Sequence, residues 1–288
     1  MQILIIGGEG QLGNSLKDIA KNESFASFTI TQIEELNLSK ESNVESFLTA
    51  NYFDYIVNTA AYTNVDKAEE EKDIAKIINS KAPGWIGKYA AKDTGIIQIS
   101  TDYVFDGSAN EPLSPDIKPN PCSVYGKTKL KGEENLLKEH SNSAIIRTSW
   151  LYSQYGGNFV KTMLNLGSKK NEINVVFDQI GTPTYAEDLA KAIIFILKQS
   201  CRDKSQFIPG IYHYSNEGVC SWYDFAHTIF NLSSINCKIN PVLSDMFPTK
   251  APRPSYSVMD KTKIKESYHL EIPHWYDSIK KHISTFSK

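Results

Sequence analysis

Tyr125 and Lys129 stand four residues apart in Tyr125-Gly-Lys-Thr-Lys129, a spacing that puts both side chains on one face of a helix, a single turn from each other. A phenol whose ordinary pKa is about 10 exchanges protons poorly at neutral pH, and a fixed cation beside it favours the phenolate and brings that value down. The pair therefore suits general acid or base work. The same spacing also describes a solvated helix face with a snorkelling lysine, so the residues upstream have to decide. Among them, Ser100-Thr-Asp-Tyr-Val-Phe-Asp-Gly107 delivers hydroxyls, carboxylates and aromatics directly after a buried apolar run. Without chemistry, that stretch is only an ST-turn followed by an Asp-Gly turn.

The elements that must position these groups can be read from the N-terminus. Met1 to Ile6 reads as a buried strand that runs into Gly7-Gly-Glu-Gly-Gln-Leu-Gly13 and then a helical pattern on Leu12, Leu16, Ile19 and Ala20. Glycines there allow a tight turn and close approach of a pyrophosphate, whose charge sits on the free amides of the helix N-terminus. Gly8, Gly10 and Gly13 satisfy one dinucleotide register and Gly7, Gly10 and Gly13 another. Strands follow at Phe28 to Ile33, at Tyr55 to Asn58 and at Gly95 to Ser100, with helical stretches between them. Pro83 marks a break or a fresh first turn within the stretch from Asn79 to Ala91. The alternation predicts an α/β protein with a Rossmann-like, doubly wound parallel sheet, whose ligands bind beyond the carboxyl ends of the strands. Thr31 and Gln32 occupy the place where an NAD-binding unit carries a carboxylate, Glu34 and Glu35 come slightly late, and no arginine stands ready for a 2'-phosphate. The preference between NADH and NADPH is left open.

Composition narrows the partners. Thirty-one basic and 33 acidic residues give a net charge of -2, too little basic field for nucleic acid or an anionic membrane, so a small-molecule partner is expected. Four cysteines without CxxC spacing read as free thiols in a reducing compartment, and neither they nor the scattered histidines suggest a metal site. The apolar run from Ile3 to Ile6 is too short for a signal peptide or a span, and a soluble cytoplasmic protein is expected.

After about residue 150 the alternation fades. Residues 1–150 are expected to form the dinucleotide-binding domain and residues 151–288 mainly a smaller α/β substrate-binding part, with some segments returning to the first. Most aromatics of that second half are expected in its core. Ala186 to Leu197 is periodic as a helix, Gly210 to Tyr214 reads as a strand, and Ser221-Trp-Tyr-Asp224 is a capping box. Trp150 follows a buried strand, Ser143 to Arg147, so its ring is expected at the carboxyl edge of the sheet, where an indole can cover the apolar face of a hexose. Arg253, between Pro252 and Pro254, has a guanidinium whose fork matches diphosphate oxygens, although a surface arginine in a proline-rich loop fits as well.

Together, Asn58 to Glu69, Ser100 to Gly107, Tyr125 to Leu130, Arg147-Thr-Ser-Trp-Leu-Tyr152 and Gly181-Thr-Pro-Thr184 resemble the dTDP-4-dehydrorhamnose reductases of the extended short-chain dehydrogenase/reductase superfamily. The resemblance implies NAD(P)H-dependent reduction of the C4 ketone of dTDP-4-dehydro-6-deoxy-L-mannose to dTDP-L-rhamnose. It makes Tyr125 the proton donor, Lys129 its electrostatic partner and a holder of the nicotinamide ribose, and Thr101 a hydrogen-bonding partner of ketone or phenol. It implies that Gly7, Gly10, Gln11, Leu12 and Gly13 bind the pyrophosphate, Leu38 and Ser39 the adenine side, and Ala60, Ala61 and Tyr62 the middle of the cofactor. Thr101, Asp102, Trp150 and Arg253 would meet the sugar nucleotide. Some members carry a glutamate after the third glycine that helps bind magnesium at a dimer interface. Here Asn14 and Ser15 stand there, so no metal is expected and the protein is expected to be a monomer or homodimer. Proteins of this fold also act as non-catalytic dinucleotide-binding subunits or as nucleotide-sugar epimerases and dehydratases; the complete Thr101, Tyr125 and Lys129 set speaks against the first of these.

Overall fold

A computed structural model describes residues 1–286. The first half alternates β1 (Gln2–Ile6), α1 (Gln11–Ala20), β2 (Ser27–Thr31), α2 (Glu41–Ala50), β3 (Tyr55–Asn58), the short α3 (Val65–Ala68) and α4 (Lys72–Lys76), α5 (Ala82–Tyr89), β4 (Gly95–Thr101), α6 (Val124–Glu139) and β5 (Ser143–Thr148). The second half contains β6 (Leu151–Tyr152), α7 (Phe159–Gly167), β7 (Glu172–Val176), β8 (Ile180–Gly181), β9 (Thr184–Tyr185), α8 (Ala186–Arg202), β10 (Gly210–His213), β11 (Cys220–Ser221), α9 (Trp222–Leu232), β12 (Lys238–Val242), α10 (Thr262–Tyr268) and α11 (Trp275–Ser284).

Continuous aliphatic runs such as Ile3–Ile6 and Ile96–Ile97 are fully buried because helices cover both faces of the sheet. Six strands pair in parallel in the order β10-β5-β4-β3-β1-β2. Strand order reverses at β1, whose neighbours are β2 and β3, so the loops leaving β1 and β3 part to opposite faces and open a crevice. One core, including Leu16, Val57, Ile193 and Tyr212, lies where α1 and α8 pack on the sheet, and another, including Val44, Ile86 and Leu136, lies on the opposite face. A third, including Tyr152, Val160, Phe225 and Ile279, belongs to the second half.

The chain re-enters the first sheet after leaving it: β10 pairs with β5 and α8 lies against α1. The second strand ends at Thr31, two residues before the expected Ile33. Ile77–Lys81 forms a π-helical turn that leads into α5, where Pro83 occupies the first turn, a place that asks no N–H of it. The α9 capping box forms as expected, with the Asp224 N–H donating to Ser221 Oγ at 3.0 Å and the Ser221 N–H to Asp224 Oδ2 at 2.9 Å.

Candidate functional site

A cavity of about 800 Å³ opens at the carboxyl edge of the sheet. Its nucleotide end is shaped by the glycine turn. Gly7 has φ +87, and a Cβ there would lie 2.7 Å from the Ala60 nitrogen, so the turn after β1 can touch the β3 loop only without a side chain. Gly13 does not line the cavity; a Cβ on it would stand 2.1 Å from the Gly7 carbonyl oxygen, so its task is to let α1 press on the turn. Gly10 caps α1 with no side-chain hydrogen bond, leaving the positive end of the helix to the cavity that Gly7, Gly10, Gln11 and Leu12 line. This uncapped cradle fits a pyrophosphate. Leu38 and Ser39 border it after β2, together with Gln32 and Asn37.

Gln11 has a second task that its motif did not reveal. Its Oε1 accepts from Ser153 Oγ and Asn158 Nδ2, both at 3.0 Å, and its Nε2 donates to the Leu151 carbonyl at 3.3 Å. The nucleotide turn is thereby tied to the first segment of the second half. On the other wall, Ala60, Ala61 and Tyr62 line the cavity. The Tyr62 N–H donates to Asn79 Oδ1 at 2.8 Å and Asn79 Nδ2 donates to the Tyr62 carbonyl at 3.0 Å, so the π-turn holds this strip of backbone in place. The Tyr62 hydroxyl is hydrogen-bonded to Glu71, which pushes it up to about 12.

The chemical end is built by α6 docking on the end of β4. Ser123 Oγ accepts the Gly126 N–H at 3.1 Å and fixes the first turn. A Cβ on Gly126 would lie 2.1 Å from the Tyr103 carbonyl oxygen, so only glycine lets the helix come this close. Tyr125, Lys129, Thr101 and Asp102 then line one end of the cavity. Tyr125 is 9% exposed, with its ring edge-on to Tyr103 at 5.5 Å. Burial pushes its phenol up, the Thr101 hydroxyl acts in the opposite direction, and Asp102 and Tyr103 add to the rise. The expected lowering by Lys129 therefore does not set the balance: the lysine, 4% exposed, donates instead to the Ile99 carbonyl at 2.6 Å. Burial brings Lys129 down to about 8, with Glu133 opposing. Thr101 Oγ1 donates to Asp102 Oδ1 at 3.0 Å and accepts the Tyr103 N–H at 3.2 Å. Desolvation lifts the fully buried Asp102 to about 6. A phenol held neutral beside a buried lysine has the proton that a general acid needs.

Trp150 reaches the cavity where it was expected, but one face of its ring is already covered. Its backbone has φ 47, a left-handed conformation unusual for a bulky residue, and its ring stacks on Trp222 at 3.6 Å and 10°. The indole expected to cover a hexose thus already has an aromatic against it. Arg253 departs further: it lies outside the cavity lining and its Nη2 is paired with Asp66 Oδ2 at 2.6 Å. Proline on both sides fixes its direction, and that direction is toward α3. Thr148, Ser149 and Leu151 line the cavity too; they lie within the Arg147-to-Tyr152 motif, which had given none of them a role, and Gly157, outside any motif, lines it as well. No group of three His, Cys, Asp or Glu side chains that could hold a metal occurs among the described residues.

A family model described as the RmlD substrate binding domain matches residues 1–288. Among curated relatives, spore coat polysaccharide biosynthesis protein SpsK of Bacillus subtilis (strain 168) is 38% identical, over 98% of this chain and 96% of its own. A dTDP-4-dehydrorhamnose reductase from Clostridium acetobutylicum ATCC 824 superposes with a TM-score of 0.93 at 38% identity, covering 100% of both chains. A dTDP-4-dehydrorhamnose reductase from Bacillus anthracis str. Ames, solved in complex with NADP, superposes with a TM-score of 0.91 at 34% identity, covering 99% of each.

Proposed function

The chain belongs to the RmlD substrate binding domain family, and from that premise we propose that it reduces the C4 ketone of dTDP-4-dehydro-6-deoxy-L-mannose to dTDP-L-rhamnose, the last step in making that nucleotide sugar. The observation that carries the reading is one cavity joining the uncapped α1 N-terminus to Tyr125, Lys129 and Thr101. The glycine turn and α1 hold the pyrophosphate, Leu38 and Ser39 border the adenine side, and Ala60 to Tyr62 support the middle of the dinucleotide. When bound, the reduced nicotinamide supplies the hydride. Tyr125 Oη gives its proton to the developing alkoxide, Thr101 Oγ1 orients the ketone oxygen or the phenol, and Lys129 Nζ bears the compensating charge and grips ribose. Asp102 and Trp150 face the sugar. A substrate diphosphate competes with Asp66 for Arg253.

Gln32, Asn37 and Ser39 at the end of β2 offer neither a carboxylate nor a cation to the cofactor's second ribose, and either NADH or NADPH serves. The protein works in the cytoplasm without a metal, as a monomer or homodimer; no helix among the described residues is long and apolar enough to cross a membrane. Residues 1–150 supply most of the cofactor's site and residues 151–288 most of the sugar nucleotide's. The test is incubation with the keto sugar and NADH or NADPH, with the product identified by NMR. Stoichiometric cofactor oxidation and dTDP-L-rhamnose are expected; the other C4 epimer, or no reduction with either cofactor, overturns the assignment.

A further inference from the structure

One turn beyond Lys129 on α6, Glu133 is 2% exposed and closes a polar cluster that the reaction does not use. Its carboxylate accepts from Arg147 Nη2 at 2.7 Å and from Arg147 Nε at 3.0 and 3.2 Å, and it receives the Ser100 hydroxyl as well. Three elements meet on it: α6, the end of β4 through Ser100, and β5 through Arg147. Ser100 follows Ile99, whose carbonyl takes the Lys129 ammonium. Tyr125, Lys129 and Glu133 thus form one buried row along the helix at successive turns.

We infer that Glu133 is a positioning residue for Lys129: its carboxylate, locked on Arg147 and Ser100, fixes the strand carbonyl that receives the ammonium and keeps that ammonium charged. The inference rests on the reading of Lys129 as part of the active site. A buried ion pair is weak evidence for stability, since well-packed apolar residues replace one at little cost. Its place one turn from the lysine gives it another use. The charged and titratable groups around Lys129 are Tyr125 and Glu133 on its own helix, Asp102 and Tyr103 after β4, Arg147 on β5, and Glu69 just after α3, which accepts the Val124 N–H. Asn79 and Ser80 face α6 from the π-turn and carry no charge. Among these groups Glu133 is the one that raises the lysine. His213, brought down to about 3 by burial and Arg147, adds no charge.

The experiment follows kcat against pH in the full-length protein with the keto sugar and saturating NADPH, alongside NADPH affinity and thermal melting. Glu133→Gln leaves Arg147 unopposed. Glu133→Met combined with Arg147→Met replaces the pair with apolar volume and keeps the fold if the first variant fails. At helical i,i+4 separation and an effective dielectric of about 20, loss of the carboxylate moves the alkaline limb toward acid by about one to two pH units. Glu133→Gln, which loses the carboxylate alone, is expected to show this move where it folds, and the double variant, which also loses the opposing guanidinium, to melt near wild type and show a smaller move in the same direction. A double variant with the wild-type limb reduces the pair to a structural one and overturns the inference. Lys129→Met separates the two failures: if it retains wild-type turnover the reading of the lysine falls and the inference with it, whereas if it is inactive beside an unmoved double variant the inference alone falls.

Discussion

Gly10 and Gly13 belong to one motif, and the structure separates their tasks into two measurable losses. At Gly10 the backbone is extended, with φ -69, and an added Cβ would meet nothing closer than the Gly7 carbonyl oxygen at 3.4 Å. Gly10→Ala is therefore expected to fold as wild type while its methyl stands in the cradle over the α1 N-terminus. Losing that close approach of the pyrophosphate costs about 1.4 kcal/mol or more, a tenfold or greater rise in cofactor Kd. At Gly13 the added Cβ would lie 2.1 Å from the Gly7 oxygen and 2.9 Å from both the Gly7 carbonyl carbon and the Gly8 Cα, all of them backbone. Such overpacking costs about 1–3 kcal/mol or more, and in a domain of this size each kcal/mol lowers Tm by roughly 2–4 °C. Gly13→Ala should thus lose stability without any ligand present. The assay is thermal melting of both variants without cofactor, followed by calorimetric titration with NADPH. A Gly10→Ala protein that binds NADPH like wild type would refute the placement of the pyrophosphate on α1, and a Gly13→Ala protein with an unchanged Tm would refute the packing argument.

Tyr125→Phe is expected to keep cofactor affinity within a few fold but to lower turnover by roughly 10²–10⁴, the usual loss for a general acid, and near-normal turnover removes the phenol from the mechanism. Arg253→Ala and Trp150→Ala should chiefly raise KM for the keto sugar; if Arg253→Ala changes only the melting temperature, its pairing with Asp66 is the whole of its role. The raised Asp102 binds its proton more tightly in the folded protein than in the unfolded chain, so its contribution favours folding at acid pH and is lost as pH climbs from about 4 through about 6. Asp102→Asn should accordingly stabilise the protein at pH 8, by about 3 kcal/mol or less, and leave it near wild type at pH 4; equal effects at both values would refute the titration. Dialysis against EDTA should leave reduction intact, and loss of activity restored by magnesium would reveal a metal site.

The sheet and the glycine turn were legible because both are written in neighbouring residues: buried aliphatic runs, then glycines, then helical spacing. Tyr125 and Lys129 were legible for the same reason, one helix turn carrying both. What stayed hidden depends on partners far apart in the chain. Asp66 and Arg253 are separated by 187 positions, and nothing in Pro-Arg-Pro names an acid as its neighbour. Nothing in the local sequence marks Glu133, which meets its partner Arg147 only because β5 lies against α6. Lys129 was expected to act on the phenol, but its direction is set by the Ile99 carbonyl, a backbone group that no side-chain pattern reports. Trp222 came into view only when the antiparallel β8 and β11 pairing set the start of α9 beside Trp150.

The late return of the chain to its first sheet bears on how the protein is made. Until Gly210–His213 has left the ribosome, β5 has no partner on its outer side, and the row Ala144 to Arg147 presents open backbone groups to any extended strand nearby. The face of α1 that α8 covers is bare for nearly as long. A nascent chain halted at residue 150 is thus no finished nucleotide-binding module but a sheet with a sticky edge. Two-thirds or more of the polypeptide has to emerge before that edge closes, so the second half of the chain folds as part of completing the sheet of the first.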